Sequence, residues 1–246
     1  MMKIEICIDS VEGAVAAAEG GADRVELCGN LFGGGTTPSA GAIKHARAAA
    51  GIGLMVIVRP RGGDFLYSPA EFGVMREDVR LAGEFGADGV VIGCLLPDGR
   101  IDTERTARLI ADARPMSVTF HRAFDLVADP HAALEDLVQL GVDRLLTSGQ
   151  EHTAWEGAEL IAALGKQAAG RIIVMPGGGI TPRNVRRIVD ATGVDEIHMN
   201  ARSPADSRMT FRNPRLYMGR ALHPPEYQRK TTDPNVVRDI VRAVRP

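Results

Sequence analysis

The chain has 246 residues, 45% of them apolar, and a formal net charge of −2 at neutral pH. That balance gives no electrostatic reason to expect a nucleic-acid or acidic-membrane partner. No run of 18 apolar residues offers a membrane span, and the opening MMKIEICIDS lacks the pattern of a secretion signal.

Short β-branched runs alternate with longer alanine-rich amphipathic ones throughout. Strands are predicted over 3–9, 24–29, 53–60, 89–94, 117–122, 144–148, 171–176 and 196–200. Helices are predicted near 11–19, 39–50, 69–85, 103–113, 129–140, 153–168 and 182–192, with a last one near 234–244. Asp129-Pro130 and Thr181-Pro182 each set a capping side chain before a proline suited to the first helical position. The phrase Gly-Ala/Val-Asp closes four helices (EGGAD, EFGAD, QLGVD, ATGVD), with glycine as the left-handed cap. Eight βα units in one chain of this length predict a TIM (β/α)8 barrel as a single domain over 1–246. The irregular stretch 201–233 is too long for an ordinary connection and reads as a lid or an arm.

Alternation within the strands sorts their faces. Ile4, Ile6 and Ile8 oppose Glu5, Cys7 and Asp9; Val25 and Leu27 oppose Glu26 and Cys28. Likewise Phe120 opposes His121, and Met199 opposes His198 and Asn200. Apolar faces pack on helices, so Glu5, Cys7, Asp9, Glu26, Cys28, His121, His198 and Asn200 are expected to point into the barrel. The same parity turns Arg59 inward beside Glu26. Arg59 with Glu26 and Arg61 with Asp64 form internal ion pairs on one reading; on the other, a guanidinium is free for an anionic ligand.

Near the same mouth, MPGGGITPRN places Gly177, Gly178 and Gly179 before a helix, where backbone N–H groups can cradle an anion, with Arg202 nearby. Asp9, Glu26, His121, Asp125 and His198 are candidates for general acid–base work. Lys3, Lys44, Lys166 and Lys230, the chain's lysines, end no strand, which argues against Schiff-base chemistry. Cys7 and Cys28 occupy inward positions of neighbouring strands. They read either as core thiols or as a soft pair suited to a monovalent copper ion, with His121 or His198 as a further donor. Three cysteines, an odd number, fit a reducing compartment, and the chain reads as cytoplasmic.

The segments EICIDSVEGAVAAAEGGADRVELC, GGTTPSAG, VIVRPRGGDFLYS, DGVVIGCLLPDGRID, TFHRAFD, LGVDRLLTSG and RIIVMPGGGI resemble the CutC copper homeostasis family, in order and spacing, over residues 3 to about 200. That resemblance implies a TIM barrel, a cytoplasmic homodimer, a role in copper tolerance, and Cu(I) held by Cys7 and Cys28. The polar mouth keeps two further readings open: an enzyme (lyase, isomerase or hydrolase) acting on a small anionic or phosphorylated molecule, and a non-catalytic interaction protein resting on 201–233.

Overall fold

A computed structural model of the chain describes residues 2–216 and 226–245. The β-branched runs form β1 (Lys3–Ile8), β2 (Arg24–Leu27), β3 (Gly53–Ile57), β4 (Gly89–Ile92), β5 (Ser117–Phe120), β6 (Arg144–Thr147), β7 (Ile173–Pro176) and β8 (Glu196–Asn200). Between them lie α1 (Val11–Gly20), α2 (Ala40–Ala49), α3 (Pro69–Glu84), α4 (Thr103–Ala113), α5 (Pro130–Leu140), α6 (Ala158–Ala168) and α7 (Val185–Thr192). All eight strands run parallel, each beside its chain neighbour, and β8 returns to β1. A parallel bridge from Gly177 to His198 joins β7 to β8 and draws the ring together. This is the TIM barrel that the alternation predicts.

The recurring Gly-Ala/Val-Asp phrase does two jobs. Its glycine stops the helix, as at Gly21, whose φ of 91° belongs to the left-handed region. Its aspartate side chain then accepts the backbone N–H of the second residue of the preceding strand: Asp23 from Ile4 (2.7 Å), Asp88 from Leu54 (2.7 Å) and Asp143 from Val118 (2.8 Å). Each strand entrance is thereby fixed at the floor of the barrel, where a bare N–H would be costly.

Two helices start later than the sequence predicts. Thr181-Pro182 forms a turn, closed by the Thr181 N–H on Asn184 Oδ1 (2.7 Å), and α7 begins only at Val185. In the same way α6 begins at Ala158, after a run of turns. Among the described residues of 201–233, β9 (Arg202–Asp206) pairs antiparallel with β10 (Gln228–Thr232). β10 leads into α8 (Pro234–Val244), which lies so close to α1 that a β-carbon at Gly20 would overlap Val237. Of the loop and helix histidines, His45, His131 and His152 are exposed, and His223 lies outside the described residues.

The inward face is polar from the floor upward. Arg24 pairs with both Glu5 and Glu196, and Arg144 reaches the same Glu196 carboxylate at 2.6 Å. The four groups neutralise one another, which is what makes their burial tolerable. Glu196→Ala is expected to strand the Arg144 guanidinium and leave Arg24 with Glu5 alone, lowering unfolding stability by about 3–5 kcal/mol in a urea titration.

Candidate functional site

Cys7 lies opposite Glu26 in the β1–β2 register, and Cys28 follows two residues later on the same face. The two Sγ atoms therefore meet, 3.7 Å apart, both buried. Met55, Ile57, Val91 and Leu31 wall the thiols on one side. On the other stand Glu26, with Oε2 3.5 Å from Cys28 Sγ, and His198, with Nε2 3.6 Å from Glu26 Oε2. Donor atoms of Cys7, Glu26 and His198 all lie within 4.8 Å of one another. The remaining ring nitrogen of His198, Nδ1, sits 2.7 Å from Glu5 Oε1. Since a carboxylate only accepts, this bond puts a proton on Nδ1 and aims Nε2 at the thiol group.

The charges follow from this packing. The hydrogen bond from Cys28, together with His198, outweighs burial and pulls the Cys7 thiol down to about 5. Cys28, facing that thiolate and buried, is pushed well above its ordinary range. Burial raises Glu26 to about 8, so it is largely protonated at neutrality. Burial also opposes ionisation of Glu5, but Arg24 and His198 hold it at about 2. Burial opposes a charge on His198, but Glu26, Cys7 and Glu5 raise it well above its ordinary range, so the result is one thiolate, one thiol and an imidazolium oriented by a carboxylate.

The mouth above departs from the predicted ion pairing. Arg59 does turn inward, but it makes no pair with Glu26. Its Nη1 donates to the Gly33 and Gly35 carbonyls (3.0 and 2.9 Å) and its Nη2 to Gly63 (2.8 Å). It thus clamps two loops, and the Gly33–Gly35 segment lies over Cys28: a β-carbon at Gly35 would stand 3.4 Å from Cys28 Sγ. Alternation gave the direction of the side chain; it could not say that backbone oxygens would receive it. Arg61 does pair with Asp64 (3.0 Å), and also with Glu71 (2.6 Å), so it is fully engaged at the rim.

Asp125 is a staple. It accepts from Thr147, from the N–H groups of Ser148 (3.0 Å) and Gln150 (3.2 Å), and from Arg122 (2.7 Å), tying the turn after β5 to the loop after β6. Asp9 is exposed and lies 3.5 Å from Arg202, away from the thiols. Asn200 ends β8 exposed. Gly177 packs on His198, while Arg122 lies against Gly178, within 3.2 Å of where a β-carbon would be. Because α7 begins at Val185, the glycines do not open the helix directly. Sequence reasoning missed Arg24, Arg144 and Glu196, although all three share the parity of the inward residues.

His121 caps the turn after β5: its Nδ1 accepts the Ala123 N–H at 3.1 Å. Burial, and then Arg59, depress its pKa from 6.5 to about 3, so it stays neutral in the folded chain. The unfolded chain takes up that proton first, so stability is full above pH 6.5 and is lost as pH falls toward 3, by on the order of 5 kcal/mol. His121→Asn, which keeps an acceptor for Ala123, is expected to flatten that part of the stability–pH curve measured by denaturant unfolding.

The CutC family pattern matches residues 2–203. A human copper homeostasis protein cutC homolog is 54% identical over 237 residues, covering 96% of this chain and 87% of the relative. A CutC family protein of Bacteroides thetaiotaomicron is 47% identical over 244 residues, covering 99% and 98%. The crystal structure of a Streptococcus agalactiae CutC superposes with a TM-score of 0.77 at 37% identity, over 81% of this chain and 98% of that one. A phosphoribosylanthranilate isomerase from Pyrococcus furiosus shares the barrel alone, at 13% identity and a TM-score of 0.57, with 99% and 98% covered. With the family pattern matched over residues 2–203 and relatives at 47% and 54% identity, this chain belongs to the CutC family.

Proposed function

We propose that this chain acts in copper homeostasis as a cytoplasmic Cu(I)-holding barrel, with Cys7 and Cys28 as the principal ligands and His198 as the third. The observation that carries the reading is the 3.7 Å thiol–thiol contact beside an imidazole already oriented by Glu5. Soft sulfur donors favour a monovalent copper ion over the hard cations that carboxylates select. With metal–sulfur bonds of about 2.3 Å, two sulfurs on opposite sides of an ion would stand ~4.6 Å apart. The 3.7 Å contact seen here is shorter, and His198 would supply a third donor beside it. Cys7 needs no further deprotonation at neutral pH, whereas His198 must release its Nε2 proton to serve as a ligand; Glu26, 3.5 Å from Cys28 Sγ, is positioned to exchange a proton with that thiol. Three free cysteines accord with a reducing compartment.

In an anaerobic titration against a chromogenic Cu(I) chelator, the wild-type chain is expected to take up one ion, and Cys7→Ser, Cys28→Ser to take up none. Glu5→Gln leaves both thiols but loosens His198, and is expected to weaken binding by about 10-fold or more. Equal uptake by wild type and the double variant would overturn the assignment.

A further inference from the structure

Three buried polar atoms at the mouth lack a close hydrogen-bond partner. They are Arg59 Nε, Tyr67 Oη and His121 Nε2, on residues that are 6%, 3% and 4% exposed. All three belong to one neighbourhood. Phe65 stacks on His121 with ring centroids 4.9 Å apart, and the Arg59 guanidinium lies 4.9 Å over the same Phe65 ring. Tyr67 follows two residues later; the Arg59 side chain acts on its hydroxyl by charge and as a hydrogen-bond donor, which leaves the Tyr67 O–H proton itself to be placed, and the charge of Arg59 acts on His121 as well. Because Nδ1 of the neutral His121 accepts from Ala123, its proton sits on Nε2.

The charge here is also unbalanced. Arg59 is buried, and among the described residues no carboxylate pairs with it; carbonyls alone receive its Nη atoms. Asp125, the carboxylate that acts on His121, is taken up by Thr147, Ser148, Gln150 and Arg122. A buried cation left without a counter-ion is strongly unfavourable. Water is a poor guest for three donors, since it has two lone pairs and two protons of its own to place. A carboxylate or phosphate oxygen accepts several bonds, donates none and supplies the missing charge.

We propose that Arg59, Tyr67 and His121 form a binding site for a small oxyanion, a carboxylate or a phosphate, at the mouth beside Phe65. The site stands apart from the thiol centre and does not depend on copper. Tyr67 also lines a cleft of about 450 Å³ together with Leu66, Phe72, Arg105 and Arg108. Phe65, half-buried over the donors, is the side chain that a guest must pass or displace.

The test uses metal-free protein with sodium formate, inorganic phosphate or sodium chloride at matched ionic strength. Formate, phosphate or both are expected to raise the melting temperature saturably while chloride does not, and the responding salt identifies the class. The His121 Nε2 resonance is expected to shift over the same concentration range. Tyr67→Phe and His121→Asn each remove one donor and are expected to weaken the response at least about 10-fold. Cys7→Ser, Cys28→Ser is expected to retain it, which separates failure here from failure of the copper assignment. Melting that follows ionic strength alone, donor variants that respond like wild type, or a high-resolution structure with only an ordered water among the three atoms would overturn the site.

Discussion

The hydrogen bond between Glu5 and His198 joins the two halves of the barrel interior. On the floor side Glu5 belongs to an ionic group with Arg24, Glu196 and Arg144. On the mouth side it fixes the His198 ring beside Cys7, Glu26 and Cys28. β1 and β8, the first and last barrel strands, meet at this bond, since Glu5 and His198 are direct register partners. A site made from both ends of the chain thus exists only once the ring has come together. The cost of burying so much charge is met because each group in the stack has a partner within reach.

The fold was legible because the two periodicities alternate cleanly and the helix stops repeat. Strand parity also named most of the thiol centre: Cys7, Cys28, Glu26 and His198 converge as their alternation requires. It was weaker where the partner is not a side chain in a strand. Arg59 points inward as read, yet its acceptors are carbonyls of glycine loops, which no spacing announces. Arg24, Arg144 and Glu196 were overlooked for another reason. They open their strands, where a charge looks like a solvated entrance, and only the closed ring shows that they face one another across the floor.

Helix starts divide along the same line. Asp129-Pro130 begins α5 as local chemistry dictates, with Asp129 accepting from His131 and Ala132. Thr181-Pro182 carries the same local signal but makes a turn, because Asn184 takes the Thr181 N–H and delays the helix. The aspartates of the Gly-Ala/Val-Asp phrase show the converse: a residue that looks like helix punctuation fixes a neighbouring strand. Capping signals place an element to within a turn, and competition among nearby side chains decides the rest.

The interior therefore separates by height into an ionic floor, a sulfur–imidazole centre and a mouth of buried donors around Phe65. The copper reading rests on the middle layer alone. Copper K-edge absorption of the wild-type chain loaded with one equivalent of Cu(I) tests that layer most directly. The account predicts a first shell of two sulfurs and one imidazole nitrogen; a shell of nitrogen and oxygen without sulfur would contradict it.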